Sequence, residues 1–321
     1  MAECKVSVCI PVYGVEKYVE RCARSLFAQT MADGIEFIFV DDCSPDRSVE
    51  IIRRVLEEFP SRKDQVRILR HERNGGLVRA RKTALAAARG DYVVHCDSDD
   101  WVDPDLYEKM HAKITAEGAD VVFCRLEDTH AGRNEPLGRG VETETDPRRM
   151  ILGHLPSLEF NAMWNKMYAR AVACDPSIAY PDDISMGEDV VYTPQAIARC
   201  RRIAHLADSC CYHYVVNPAS ITGSQNRRPE RARSLARVAE VLMRELTPRG
   251  YGEAVDRVCR DVLLAAVKCG RFTSAEYRAW RARVKGPLLG DCRHGFVKKA
   301  VLATAAVSYR LAAGVSGGLR K

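Results

Sequence analysis

At 321 residues, with 46% hydrophobic and 29% charged side chains, the chain has the composition of a folded protein with a large core, which excludes a disordered polymer. The net charge of +6 is unevenly placed: residues 225–321 hold 21 Lys and Arg against 8 Asp and Glu, a net of +13, while residues 1–224 carry −7. No window approaches ~20 uninterrupted apolar residues and the first five residues lack the apolar core of a secretory leader, so a spanning helix is not expected and a cytoplasmic protein is.

Strand and helix patterns alternate over the first ~125 residues. Val6–Ile10 reads as a strand that Pro11 stops, followed by a helix from Val15 to Gln29 with apolar residues at Val15, Val19, Cys22 and Leu26. Phe37–Val40 is a continuous apolar strand running into Asp41-Asp42-Cys43-Ser44-Pro45-Asp46, where Ser44 and Pro45 fit the cap and first residue of a helix over Arg47–Phe59. A third strand, Val66–Leu69, leads to Asn74-Gly75-Gly76 and a helix over Leu77–Ala88 that Gly90 terminates. Tyr92–Cys96 is the fourth strand, followed by a helix Leu106–Ala116 and a strand Val121–Cys124. Residues 126–160 read as a polar loop region, and order resumes near Met163–Tyr168. Glu188 and Asp189 open a further apolar helix, where dipole complementation alone accounts for two acids in the first turn. Glu230–Leu246 and Ala254–Cys269 are amphipathic helices of a basic C-terminal extension.

This rhythm predicts an α/β fold with a mostly parallel, doubly wound sheet. Ligands of such sheets bind outside the carboxyl ends of the strands. Pro11-Val12-Tyr13, Asp41-Asp42 and Asp97-Ser98-Asp99-Asp100 all fall at such ends, and Asn74 with Arg79 and Arg81 lies just past one. Three carboxylates within four positions repel one another and resist desolvation, so the cluster after Tyr92–Cys96 fits a hard cation, Mg²⁺ or Mn²⁺, bridging to a phosphate. A solvated acidic turn capping the helix after Pro104 remains open on the residues alone. Neither Gly-x-x-x-x-Gly-Lys-Ser/Thr nor a Gly-x-Gly-x-x-Gly after the first strand is present, so a bound nucleotide would be held through carboxylates and metal. Thirteen scattered cysteines without Cys-x-x-Cys spacing point to reduced thiols.

Taken together, Ser7-Val8-Cys9-Ile10-Pro11-Val12-Tyr13, Ser25–Thr30, Val40–Ser44, Asn74–Arg81, Asp97-Ser98-Asp99-Asp100 and Gly187-Glu188-Asp189 resemble the ordered motifs of bacterial family 2 glycosyltransferases of the GT-A fold. Trp164–Tyr168, Tyr212-His213-Tyr214 and Ser220-Ile221-Thr222 resemble the subgroup that builds capsular and cell-surface polysaccharides. The likeness covers residues 4–224, which implies a GT-A domain over 1–224, with a nucleotide-binding half (1–125) and an acceptor-binding half (126–224), and a helical extension over 225–321. The resemblance implies an inverting, metal-dependent hexosyl- or N-acetylhexosaminyltransferase. Its donor would be a nucleotide-diphosphate sugar, commonly a UDP-sugar, and its acceptor a glycan or lipid-linked hydroxyl. It assigns donor contacts to Pro11, Tyr13, Asp42, Asn74, Arg79, Arg81, Asp97 and Ser98. Asp99, with Asp97, would hold Mn²⁺ or Mg²⁺, and Asp189, beside Glu188, would be the general base. Two positions depart from the family pattern: Gly14 stands where Asn is usual, and Cys43 replaces a Gly able to adopt positive φ, so the loop there is expected to differ slightly.

A sugar-nucleotide synthase would need a Gly-rich basic loop after the first strand, which Val12–Glu16 lacks, and a non-catalytic binding module would be marked by loss of Asp99 or Asp189, both present. Nucleic acid is not expected, because Tyr251, Tyr277 and Trp280 form no stacking array. Phe296–Ala313, with Lys298, Lys299 and Arg310, is expected to lie peripherally on an anionic membrane face, against the alternative of packing on the catalytic domain.

Overall fold

Continuous apolar runs become strands with both faces covered. Val6–Val12 (β1), Ile35–Asp41 (β2), Val66–Arg70 (β3) and Tyr92–His95 (β4) pair in parallel in the order β3-β2-β1-β4, and β1 and β2 are buried throughout. The connections carry helices Val19–Phe27 (α1), Ser48–Glu57 (α2) and Leu77–Ala87 (α3), with Leu106–Glu117 (α4) following β4. This computed structural model describes residues 3–128, 135–136, 141, 143–155, 157–217, 231–269 and 272–285. Phe296–Ala313 and Ser220-Ile221-Thr222 lie outside the described residues.

The sheet continues through Trp101–Val102 (β5), Val121–Asp128 (β6), Glu135–Pro136 (β7), Lys166–Ala169 (β8) and Ile203–Tyr214 (β9). Its order is β3-β2-β1-β4-β8-β6-β9-β5, with β7 on β6. β8 enters antiparallel between β4 and β6, β5 pairs antiparallel with β9, and β9 runs parallel to β6. Most paired residues lie in parallel ladders, as the strand-helix alternation predicts.

Four local expectations are corrected. Pro11 lies inside β1 and does not end it. Asp42 donates its N–H to Val12 O, so the alternation turns position 11 toward the β4 side, where pairing has already ended at Cys9 with His95, and the missing N–H costs no ladder bond. The first helix begins at Val19, not Val15, whose carbonyl instead accepts the Tyr18 and Val19 amides in a preceding turn. The second helix begins at Ser48 and is not capped by Ser44; Asp46 Oδ1 accepts the Ser48 amide at 3.1 Å in its place. The region 126–160 is not all loop. β6 reaches Asp128, and short helices Pro147–His154 (α5) and Leu158–Asn161 (α6) follow, with Met150, Ile151, Leu155 and Phe160 buried. Their apolar residues are too few and too broken by polar neighbours to register as a helical period.

By contact the chain divides into two compact units. The first holds residues up to Met150, Ser157–Asp183 and Tyr192–Asn217, and so contains the whole described sheet. It also holds the short helix Arg170–Ala173 (α7) and the end of Glu188–Ile197 (α8). The second takes in Ile151–Pro156, Ile184–Val191 and the chain beyond Asn217. Its described core is the pair Arg231–Leu246 (α9) and Gly252–Cys269 (α10), which bury Val238, Leu242, Val258 and Val262 along one face each. Ser274–Arg283 (α11) starts on a complete capping box between Thr273 and Glu276. Among the described residues no helix is long and apolar enough to cross a membrane.

Candidate active site

The carboxyl ends of β1, β2 and β4 lie side by side because the three strands are parallel and in register, Val12 opposite Asp41 and Cys9 opposite His95. The loops after β1 and β2 are stitched together. Gly14 N–H donates to Ser44 Oγ (2.9 Å), Val15 N–H to Ser48 Oγ (3.1 Å) and Glu16 N–H to Asp46 Oδ2 (2.9 Å). Tyr13, at the end of β1, stands 51% exposed on this edge, an unusual position for an aromatic ring and a ready platform for a planar ligand.

Asp42 is only 3% exposed, and its carboxylate takes the Gly75 amide on Oδ1 and the Gly76 amide on Oδ2, both at 2.8 Å. His71 Nδ1 lies 2.6 Å from the same Oδ1, while its Nε2 lies 2.9 Å from Thr83 Oγ1. Asp42 therefore ties β2 to the turn that opens α3, where Gly76 holds φ +86°. Asp41 likewise closes its own loop, with Oδ1 accepting Ser44 N–H at 2.7 Å. Cys43, next in the chain after Asp42, holds φ +61°, the left-handed conformation that its side chain disfavours. Asn74 and Arg79 of the α3 turn are exposed.

The acidic turn after β4 is organised differently. Arg81, buried at 2% exposure, sends Nη2 to Asp97 Oδ1 at 2.8 Å. Asp100 is buried and bonded on both oxygens: Tyr212 OH donates to Oδ2 and Val215 N–H to Oδ1, each at 2.7 Å. Ser98 is buried beside them, and Asp99 accepts Asn217 Nδ2 on Oδ2 at 3.0 Å. Burial, and then the neighbouring Asp97, push Asp99 up to about 6, partly offset by the Asn217 hydrogen bond. Burial, Asp99 and Asp97 push Asp100 well above the ordinary carboxylate range. His95, just before the turn, is fully buried and held neutral by burial and by Arg81, its pKa lowered to about 3. Arg81 thus pairs with Asp97, while Asp99 and Asp100 receive neutral donors.

That imbalance fits a divalent cation. Among the described residues no three His, Cys, Asp or Glu side chains gather into a complete cage. An ion on a diphosphate takes one or two carboxylates and completes its shell with phosphate oxygens and water, and Asp97 and Asp99 are the carboxylates that could serve it. Asp97 already serves Arg81, which leaves Asp99 the less compensated of the two.

Glu188 and Asp189 stand in the first turn of α8, in the second unit, where Val190 N–H donates to Asp189 Oδ1 at 2.8 Å. Of the residues singled out from sequence, Tyr13, Asp42, Arg81, Asp97, Ser98 and Asp99 come together on the strand edge or bond directly to it. Tyr212, Asn217 and His71 had no assigned role. Tyr212 and Asn217 lie more than a hundred positions along the chain from the carboxylates they touch, and no local pattern signals such a contact.

Comparison with known proteins agrees with this architecture. The model of the family described as glycosyl transferase family 2 matches residues 7–171. The uncharacterized glycosyltransferase EpsJ of Bacillus subtilis is 32% identical over 222 residues, covering 68% of this chain and 62% of that protein. The poly(ribitol-phosphate) beta-N-acetylglucosaminyltransferase TarS of Staphylococcus aureus is 28% identical over 210 residues, 65% of this chain and 35% of that protein. This chain thus spans less than two thirds of the length of either relative. Among solved structures, S. aureus TarS 1–349 in complex with UDP-GlcNAc shares the GT-A fold, with a TM-score of 0.66 at 21% identity over 87% of this chain and 88% of that one. The mannosyltransferase PcManGT of Pyrobaculum calidifontis, in complex with GDP-Man and Mn²⁺, gives a TM-score of 0.55 at 18% identity over 98% and 87%.

Proposed function

Since this chain belongs to glycosyl transferase family 2, we propose that it moves a sugar from a nucleoside-diphosphate sugar, a UDP-sugar, to a hydroxyl of a glycan or lipid-linked acceptor, with inversion at the anomeric carbon. The observation that carries this reading is the acidic turn at the edge shared by β1, β2 and β4, where Asp99 is raised to about 6 beside Asp97. Such a turn suits a cation that arrives with a diphosphate. When bound, Mn²⁺ or Mg²⁺ acts as a Lewis acid that stabilises the departing diphosphate.

The chain's own residues supply the rest. Exposed Tyr13 offers a stacking face for the base, and the Asp42-bracketed Gly75-Gly76 turn forms the adjoining wall. Arg81 orients Asp97 for the ribose or the ion. The acceptor oxygen attacks the anomeric carbon as the bond to the β-phosphate oxygen breaks, and Asp189 takes the hydroxyl proton. The Asp189 assignment rests on the likeness of Gly187-Glu188-Asp189 to the family's Glu-Asp element, with Glu188 as its neighbour. UDP-GlcNAc, the ligand of the S. aureus TarS structure, is the first donor to test. A cytoplasmic enzyme with peripheral contact to an anionic membrane is the setting this reading implies.

The deciding measurement is hydrolysis and transfer with a panel of nucleotide sugars and Mn²⁺. Asp99→Ala should lower turnover by about 10³-fold and Asp189→Asn by a comparable factor, while donor binding survives in the latter. Failure of every nucleotide sugar to bind or turn over would sink the proposal, and full transfer by Asp189→Asn would remove Asp189 as the base.

A further inference from the structure

The end of β9 folds across the acidic turn and holds it at several points. Tyr212 OH accepts the Asp97 amide at 3.1 Å and donates to Asp100 Oδ2 at 2.7 Å, so one hydroxyl bridges both ends of the turn. Val215 N–H occupies Asp100 Oδ1 at 2.7 Å, and Asn217 Nδ2 reaches Asp99 Oδ2 at 3.0 Å. The backbone adds antiparallel pairing of Trp101 with His213 and Val102 with Tyr212. Ring packing stiffens the same segment: Trp164 stacks on Tyr212 at 4.5 Å and on Tyr214 at 5.5 Å, and Trp101 stacks on His213 at 3.4 Å, with Asp103 on His213 Nε2 at 2.8 Å.

These contacts differ in kind. Tyr212 and Val215 spend themselves on Asp100, which is buried with both oxygens used. Those bonds can persist whatever binds outside. Asn217 instead places a neutral amide donor on Oδ2 of Asp99, the carboxylate assigned above to the cation. An amide donor sits on the lone pairs that a cation needs, and it offsets only part of a full charge.

We propose that Tyr212 and Asn217 are opposed positioning residues of the acidic turn: Tyr212 holds Asp97 and Asp100 in the geometry that receives a divalent cation with its diphosphate, and Asn217 occupies Asp99 in the cation's place and is displaced when it enters. This rests on the donor site proposed above, and it assigns each residue a sign. Losing the Tyr212 hydroxyl leaves the Asp97 amide and Asp100 Oδ2 without their shared partner, and cation affinity falls. Losing the Asn217 amide removes a competitor, and cation affinity rises. Two residues with merely structural roles would shift affinity the same way or not at all.

The test is Mn²⁺ titration of the full chain by electron paramagnetic resonance, first without nucleotide and then with UDP, on wild type, Tyr212→Phe, Asn217→Ala and Asp99→Ala, with a thermal melt of each. Tyr212→Phe should weaken Mn²⁺ binding about tenfold and Asn217→Ala should tighten it about threefold to tenfold, with both variants folded. In an Asp99→Ala background the Asn217→Ala effect should vanish. Shifts of the same sign, no shift, or an Asn217→Ala effect that survives loss of Asp99 overturns the assignment. Mn²⁺ binding to wild type that is no stronger than to Asp99→Ala overturns it as well. If Mn²⁺ alone gives the opposed shifts but no UDP or UDP-sugar binds, the positioning roles stand and the donor reading falls.

Discussion

After β2, Asp41 and Asp42 give their oxygens to the backbone amides of Ser44, Gly75 and Gly76, with His71 against Asp42. After β4, Asp97 and Asp99 lie within each other's field, partnered by the side chains Arg81 and Asn217, and the pKa of Asp99 is raised to about 6. Both loops are acidic strand ends on one sheet edge, yet their carboxylates do different work. An amide-bound carboxylate is a bracket whose charge is already matched by donors that cannot leave without unfolding the loop. A carboxylate crowded by another keeps an electrostatic deficit that a ligand can relieve. Loop shape belongs to the first pair, and the second is where the proposed cation would bring its charge.

Substitutions should separate the two. Asp42→Ala strands the Gly75 and Gly76 amides and His71, and should cost about 3 kcal/mol of stability by denaturant unfolding. Asp99→Ala, measured alongside, should cost no more than ~1 kcal/mol, because it removes a repulsion as well as one hydrogen bond. Equal losses would erase the distinction.

Acid titration breaks the comparison from the other side. Below pH 6.5 the unfolded chain protonates His95, whereas the native residue, with a pKa of about 3, refuses the proton. Its contribution to stability therefore falls as pH drops from 6.5 toward 3, by about 2 to 3 kcal/mol at pH 4.5. His95→Leu should flatten that limb in melts at pH 4.5 and 7.5, and an unchanged acid limb would show that His95 is not the group responsible. Asp99 has the opposite sign. Its native pKa of about 6 lies above the usual 3.8, so the native state keeps a proton that the unfolded chain gives up. Its favourable contribution is present below about pH 4 and lost as pH rises through 6. Asp99→Asn should therefore gain about 2 kcal/mol over wild type at pH 7.5 and nothing at pH 4. A gain of equal size at both values would assign it to packing.

Much of this was legible from the amino-acid order, for physical reasons that can be named. β1, β2 and β4 were visible because strands covered on both faces need unbroken apolar residues, and the acidic ends of β2 and β4 followed from where those runs stop. Pro11 misled because a rule about missing N–H groups depends on which neighbour the strand faces, a fact of sheet topology. Helices α5 and α6 escaped because eight and four residues carry too little periodicity to read. The partners of the acidic turn were hidden for a third reason. Tyr212 and Asn217 reach it across 112 and 118 positions, through a strand that returns to the sheet far from β4 in sequence.

Cys43 joins the two kinds of evidence. The sequence marks it as a residue where glycine is usual, with the expectation that the loop there shifts to suit a side chain. The backbone instead keeps the glycine-like conformation, φ +61°, at a half-buried cysteine that follows the brackets Asp41 and Asp42. An L-residue in that region costs roughly 1–2 kcal/mol, and the Ser44, Gly75 and Gly76 amides hold it there. Cys43→Gly should remove the strain, lose part of the gain to the greater freedom of glycine in the unfolded chain, and stabilise by about 1 kcal/mol. Cys43→Ala keeps the same backbone penalty and should change stability by less than ~0.5 kcal/mol. If both variants stabilise equally in thermal melts, the thiol rather than the φ angle is the source of strain. If neither does, the brackets around Cys43 hold the loop less firmly than their hydrogen bonds imply, and the contrast between bonded and crowded carboxylates loses its structural half.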